Sequence, residues 1–151
     1  MKVYFAHPCF NEKQQQFKAA FLEKMRVALT RAGLTDELAV IDPFDHTPNV
    51  ECSIETKLLM AGEIKTRCLQ LLDECDIIVA LADGDDTGTA FEAGYAYATD
   101  KPIILISEKT CSSANAMLIG SAHAMIDNVL DDEQIQKLVR TIRSLIPRNT
   151  R

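Results

Sequence analysis

Two carboxylates, Asp86 and Glu92, fall in the stretch Asp86-Thr87-Gly88-Thr89-Ala90-Phe91-Glu92-Ala93-Gly94-Tyr95. The apolar run from Ile77 to Leu81 that precedes them reads as a buried strand, and Thr89 to Thr99 as the helix it leads into. That puts Asp86 in the strand-to-helix loop and Glu92 near the first helical turn. In an open α/β sheet, ligands bind outside the carboxyl ends of the strands, where such a loop lies. A carboxylate early in a helix feels the positive end of the helix dipole, which favours its ionised form. An ionised Glu92 facing a pocket has the chemistry of a nucleophile or a general base. Each acid also has a plainer reading: Asp86 as a helix cap, Glu92 as a solvent-facing helix residue. The small residues Gly88, Ala90, Ala93 and Gly94 weigh against these, because they let a substrate or a packed neighbour approach the backbone.

The elements that position these acids alternate along the chain. Lys2 to Ala6 reads as a first strand stopped by His7-Pro8. Asn11 is placed to cap a helix in which Phe17, Phe21, Met25 and Leu29 keep helical spacing up to Gly33. Leu38 to Ile41 is a second strand, Phe44 to Ser53 a polar loop, and Ile54 to Asp73 a helix carried by Leu58, Leu59, Ile64, Cys68 and Leu71. After the third strand and its helix come a fourth strand at Pro102 to Ile106 and a loop with a short helix at Ser112 to Ile119. A fifth strand at His123 to Ile126 and an amphipathic helix at Asp132 to Leu145 complete the order. Strands alternating with helices predict a parallel sheet covered on both faces. With 151 residues and no repeat or linker, residues 1–151 read as one doubly wound domain.

The composition narrows the function. A net charge of −6 argues against nucleic acid as a partner, whose binders are basic. No apolar run approaches a membrane span, and the short apolar N-terminus does not read as a signal peptide. Five scattered cysteines without a Cys-x-x-Cys pair suggest reduced thiols in a cytoplasmic protein rather than disulfides or zinc. His7, His46 and His123 lack metal-ligand spacing, so neither a metal nor another cofactor is expected. Two phosphotransfer motifs share letters with Asp83-Gly84-Asp85-Asp86-Thr87-Gly88-Thr89: the Asp-Lys-Thr-Gly-Thr of ion-pumping ATPases and the Asp-x-Asp-x-Thr of haloacid-dehalogenase-type phosphatases. Both need a lysine and a further acidic pair around Mg²⁺, and Asp131-Asp132 precedes a helix instead of following a buried strand. An EF-hand lacks its ligand spacing and closing glutamate.

Four places resemble the nucleoside 2-deoxyribosyltransferase family: Val3-Tyr4-Phe5-Ala6-His7-Pro8, Asp86-x-Gly-x-x-x-Glu92, Gly94-Tyr95-Ala96 followed by Lys101-Pro102, and Asn115-Ala116-Met117. The resemblance implies a flavodoxin-like sheet of about five parallel strands with helices on both faces. It implies that Glu92 is the nucleophile, that Tyr4 orients it, and that Asp86 contacts the sugar's 5′-hydroxyl. Asn115 would reach a neighbouring subunit's sugar, which makes the protein a homo-oligomer with shared sites. The implied reaction transfers 2-deoxyribose between nucleobases through a covalent ester, with retention and without a cofactor. Nucleosides and nucleobases are then its small-molecule partners. Related deoxynucleoside 5′-monophosphate N-glycosidases carry small hydroxyl residues where this chain has Asp86 and Asn115. A carboxylate accepts a hydrogen bond from a free hydroxyl and repels a phosphate, so Asp86 favours nucleosides.

Departures from the family pattern centre on the leaving base. Many members have an aspartate eight residues before the acid that here is Asp76, and that position holds Cys68. A thiol is a poor proton donor to a leaving base compared with a carboxylic acid, and Glu63, Asp73 or a water are candidate replacements. By helical spacing alone, Cys68 reads as a packed core residue. In Pro43-Phe44-Asp45-His46-Thr47, the last three side chains are candidates to read the base. His7 stands where relatives often have glycine, placed to line the pocket or touch substrate, and Gly88 and Met117 belong to the substrate motifs. Met117 and Met125 also read as core or interface packing. Two other functions remain open: hydrolysis of deoxynucleosides or deoxynucleotides, and nucleoside binding with little turnover.

Overall fold

The computed structural model describes residues 1–48 and 54–145. Its strands are β1 (Lys2–Ala6), β2 (Ala39–Ile41), β3 (Ile77–Leu81), β4 (Ile103–Ile106) and β5 (Ala124–Ile126). The helices are α1 (Glu12–Arg31), α2 (Ile54–Glu74), α3 (Thr87–Ala98), α4 (Ala116–Ser121) and α5 (Asp132–Leu145). All neighbouring strands pair in parallel, in the order β2-β1-β3-β4-β5. This is the flavodoxin-like order, whose topological switch point lies between β1 and β3. The expected flavodoxin-like parallel sheet of five strands is therefore present, with boundaries moved by a residue or two.

Pleating divides the sheet into two cores. Val3, Phe5, Ile77, Val79, Ile104 and Ile106 join the buried face of α1 (Phe17, Phe21, Met25) and of α5 (Ile135, Leu138, Ile142). On the other face, Tyr4, Ala6, Ile78, Ala80, Ile103 and Leu105 pack beneath α2 and α3. Every residue of β3 is buried, which is why it reads as an unbroken apolar run. The β1–β3 register sets Ala6 opposite Ala80. The smallest side chains on that face thus lie near the carboxyl ends of the two strands at the switch point, leaving room above the sheet.

Local chemistry sets the ends of the helices. Asn11 caps α1 by accepting a hydrogen bond from the Gln14 N–H at 3.0 Å. The Lys101 ammonium closes the carboxyl end of α2, donating to the carbonyls of Asp73 (3.2 Å) and Cys75 (2.7 Å). Gly84, at φ +76°, makes the turn out of β3 in a conformation that costs other residues energy. The expected polar loop from Phe44 to Ser53 begins with a 3₁₀ turn at Pro43–Asp45; its part from 49 to 53 lies outside the described residues.

Helix α2 departs from its sequence pattern. Leu71 and Leu72 are buried, whereas Ile54, Leu58 and Leu59 are 78%, 75% and 85% exposed. Apolar spacing identified the helix, but the first part of that apolar face is left exposed by the described residues. Among the described residues no helix is long and apolar enough to cross a membrane.

Candidate active site

Tyr4 and Glu92 meet above the switch point. Tyr4 belongs to β1 and is fully buried; its hydroxyl donates to Glu92 Oε1 at 2.6 Å. Strand pleating aims Tyr4 at the α2–α3 face, and α3 carries Glu92 over it. Burial and the adjacent carboxylate push the tyrosine pKa upward, so it remains a hydrogen-bond donor through the neutral range.

Glu92 sits in the second turn of α3, because the helix begins at Thr87, two residues before the expected start. The dipole argument for an easily ionised Glu92 fails there, since that effect falls off within the first turn. Burial dominates and raises its pKa to about 7, with the neighbouring charges of Asp86 and Asp42 pushing the same way. The hydrogen bond from Tyr4 and the nearby Cys68 thiol pull in the opposite direction. A carboxyl poised near neutrality in a recess is the kind of group that functional sites contain.

Cys68 is not the packed core cysteine that its spacing suggested. It is partly exposed on α2, with its thiol close enough to Tyr4 and Glu92 to interact with both. Helical periodicity gave the correct face of α2 but not where along that face the core gives way to the recess. Burial raises the pKa of this thiol, which keeps it protonated beside the glutamate. Of the other candidate proton donors, Asp73 accepts the Tyr95 hydroxyl at 2.9 Å on the surface. Glu63 lines a cavity of about 550 Å³ with His46, Pro48, Thr66 and Arg67, a cavity that includes neither Tyr4 nor Glu92.

Asp86 is the N-cap of α3: its Oδ2 accepts the Thr89 N–H at 2.7 Å. A side chain on Gly88 would bring a Cβ within 3.2 Å of that oxygen, so Gly88 leaves space for the carboxylate to fold back over the helix end. Of the two expected uses of this glycine, approach of a substrate or of a packed neighbour, the second describes this contact. Capping occupies one oxygen of Asp86; Oδ1 has no partner among the described residues. Asn115 is used in a parallel way. It caps α4 with Oδ1, which accepts the Met117 N–H at 2.8 Å, and its amide nitrogen stays available on an exposed residue. Met117 is 82% exposed, so it does not pack in the core of its own chain. Met125, at 46% exposed, does not either.

His7 does not line the recess. Its side chain is completely buried, with Nε2 3.3 Å from Asp42 Oδ1 and its ring stacked on Phe5 at 4.1 Å. Asp42 also holds Lys18 at 2.6 Å and accepts the Phe44 N–H at 2.9 Å. These bonds turn the histidine away from solvent and fix the turn after β2. Of the proposed base readers, Asp45 faces Lys18 at 3.5 Å and Thr47 donates to the Pro43 carbonyl at 2.9 Å. The sequence reading passed over Phe10 and Phe44, which are 75% and 36% exposed and meet edge to face at 5.8 Å beyond the ends of β1 and β2. Two exposed aromatics following neighbouring strands were the available signal. Among the described residues no group of three or more His, Cys, Asp or Glu could hold a metal ion.

Comparison with known proteins points the same way as this geometry. The family model described as nucleoside 2-deoxyribosyltransferase matches residues 3–134. A solved 2-deoxyribosyltransferase from Bacillus psychrosaccharolyticus is 31% identical, with 90% of each chain covered and a TM-score of 0.62. Two more distant structures share the fold alone. A conserved protein from Enterococcus faecalis is 19% identical, covering 94% of this chain and 98% of its own at a TM-score of 0.67. A CMP N-glycosidase from Clostridium botulinum is 20% identical, covering 94% of this chain and 99% of its own at a TM-score of 0.55. No curated protein matches the chain in sequence. The matched span takes in Tyr4, Cys68, Asp86, Glu92 and Asn115 alike, and the chain belongs to the nucleoside 2-deoxyribosyltransferase family.

Proposed function

We propose that this protein transfers 2-deoxyribose between nucleobases, with Glu92 as the nucleophile. The observation that carries this reading is the 2.6 Å hydrogen bond from Tyr4 to Glu92 Oε1 at the switch point of the sheet. With Oε1 held, Oε2 attacks C1′ of a deoxynucleoside. The C1′–N bond breaks, its electron pair leaves with the base, and the base takes up a proton. A ring nitrogen of a second base then attacks C1′, gives up a proton to solvent and displaces the carboxylate, so two inversions give overall retention. Tyr4 fixes the orientation of the carboxylate and stabilises its charge as the ester is broken. The Cys68 thiol supports the same carboxylate; its raised pKa makes it a poor acid for the leaving base. The exposed rings of Phe10 and Phe44 are suited to stacking on a planar base.

The half-used side chains of Asp86 and Asn115 explain the preference for nucleosides. Asp86 presents a free acceptor and Asn115 free donors. A hydroxyl group, which both donates and accepts, satisfies the two together. A 5′-phosphate would place its charge against the Asp86 carboxylate.

The reading includes a homo-oligomer in which Asn115 serves a neighbour's sugar. Supporting it are the exposed apolar side chains of α2 and, on α3 and α4, Phe91 (56% exposed) and Met117 (82%), since exposed apolar patches mark interaction surfaces. Leu58→Glu combined with Leu59→Glu is expected to give a monomer by sedimentation and to lower kcat/KM by at least roughly tenfold, since a site without its donor loses a charge-neutral hydrogen bond or more. Tyr4→Phe removes a hydrogen bond to a carboxylate and is expected to lower kcat roughly 10- to 100-fold with little change in KM. Steady-state kinetics on deoxyinosine and adenine check it.

The direct test of the reaction is chromatography of purified protein incubated with deoxyinosine and adenine. Deoxyadenosine and hypoxanthine as products establish transfer. Free deoxyribose without exchange makes the protein a hydrolase, in which water takes the place of the second base. Nucleoside binding without either product, across purine and pyrimidine donors, rejects catalysis.

A further inference from the structure

The segment that leads from β4 to Asn115 is held by side chains from three strand ends. Asp83, just past β3, accepts the Ser107 hydroxyl on Oδ1 and the Glu108 N–H on Oδ2, both at 2.9 Å. Ser107 is fully buried, and its Oγ accepts the Lys109 N–H at 3.0 Å. From past β5, Asp127 Oδ1 accepts the Cys111 N–H at 2.7 Å, while the buried Cys111 thiol donates to the Ile126 carbonyl at 3.6 Å. A backbone bond from the Asn128 N–H to the Lys109 carbonyl, 3.2 Å, closes the same side. Beyond the 3₁₀ turn at Cys111–Ser113 the chain enters α4 at Asn115.

We propose that Asp83 and Asp127 are positioning residues that set the placement of the Asn115 amide. Two carboxylates grip backbone N–H groups of one short segment from opposite sides, and bonds to an ionised acceptor are the stronger kind. None of the hydrogen bonds they make is with Tyr4, Asp86 or Glu92, so their action on substrate passes through Asn115. Asp83 has a second consequence. It lies in the loop that also carries Asp86, so one carboxylate joins the loop that presents the hydroxyl acceptor to the segment that presents the donor. The inference rests on the 5′-hydroxyl role proposed above for Asn115.

The test combines kinetics on a deoxynucleoside with NMR of the Asn115 side-chain amide in the full chain. Asp127→Ala and Asp83→Ala should each raise KM roughly tenfold, as Asn115→Ala does, with kcat within about twofold. Either one combined with Asn115→Ala should be no worse than Asn115→Ala alone, the mark of residues acting on one group. Asp127→Asn keeps an oxygen for the Cys111 N–H and should restore KM; Asp83→Asn can accept from Glu108 and donate to Ser107 and should do the same. The amide resonances of Asn115 should shift in both alanine variants and return in both asparagine variants. Unmoved resonances overturn the positioning role whatever the kinetics show. Resonances that shift while Asn115→Ala leaves KM unchanged keep the positioning and reject the substrate role of Asn115. Additive losses in the double variants overturn the claim that the carboxylates act through Asn115.

Discussion

Glu92→Ala abolishes base exchange, lowering kcat/KM by about 10,000-fold or more, the scale on which enzymes lose activity when a nucleophile is removed. The variant still binds nucleoside, because Asp86, Asn115 and the aromatic rings are untouched. Titrating the variant with deoxyinosine by calorimetry checks the binding, and chromatography checks the exchange. Retained exchange would falsify the ester mechanism. In the unaltered protein the pH profile carries the signature of the same group. The attacking form of Glu92 is ionised and its pKa is about 7, so kcat/KM falls about tenfold per pH unit on the acid side of neutrality. An acid limb near 4.5, the ordinary value for a glutamate, would show that another group controls the reaction.

Stability moves with pH in the opposite sense. The folded protein binds the Glu92 proton more tightly than the unfolded chain does, so folding is favoured by this group below pH 4.5. That contribution is lost as the pH rises through about 7. Glu92→Gln, which is neutral at every pH, is therefore expected to be more stable than the unaltered protein at pH 8, by on the order of 2 kcal/mol, and equal to it at pH 4. Thermal unfolding at the two pH values reads the difference. The strain of holding this carboxylate ionised in a recess is then visible as a stability cost of the site.

Asp86→Ser opens the site to nucleoside 5′-monophosphates, with a gain of roughly 100-fold in kcat/KM for deoxy-5′-monophosphates. The gain comes from removing a carboxylate a few ångströms from a phosphate, an interaction that costs several kcal/mol at the effective dielectric of a surface recess. Activity on nucleosides falls roughly tenfold, because serine is a weaker acceptor than a carboxylate. Serine is also a good N-cap, so α3 keeps its Thr89 bond and the melting temperature moves by only about a few degrees. Asp86→Ala lifts the repulsion and also removes the cap, so its difference from Asp86→Ser reads the cap alone. If Asp86→Ser changes neither substrate preference nor nucleoside KM, Asp86 is a helix cap and nothing more.

The fold was largely legible before any coordinates. β3 announces itself because a strand buried on both faces must be apolar throughout, and Asn11 and Asp86 each precede their helices as caps do. Of the candidate site, spacing placed Asp86 and Glu92 in one strand-to-helix unit, while Tyr4 came from the family resemblance and not from any period. Electrostatics was not legible. A position near a helix start suggested an easily ionised Glu92, and burial reversed that, because depth depends on packing from β1 and α2, which lie far away in sequence. The same limit misplaced Cys68, whose helical face was right and whose height along the sheet was not. His7 was misread because its partner, Asp42, lies 35 residues away in the turn that follows β2. Phe10 and Phe44 were missed because an exposed aromatic in a loop has no period to betray it.

Tyr4 and Glu92 stand 88 residues apart in the chain, and the strand that carries Tyr4 is flanked by β2 and β3, both made after it. During synthesis β1 therefore leaves the ribosome before β2 and β3 and waits, apolar and unpaired, for both of them. Non-local parallel pairing of this kind forms slowly, and exposed strand edges in the interval invite association with other chains. The nascent chain thus lacks the Tyr4–Glu92 hydrogen bond and is most in need of chaperone protection until α3 has emerged, and loss of β1 removes the strand between β2 and β3 together with Tyr4.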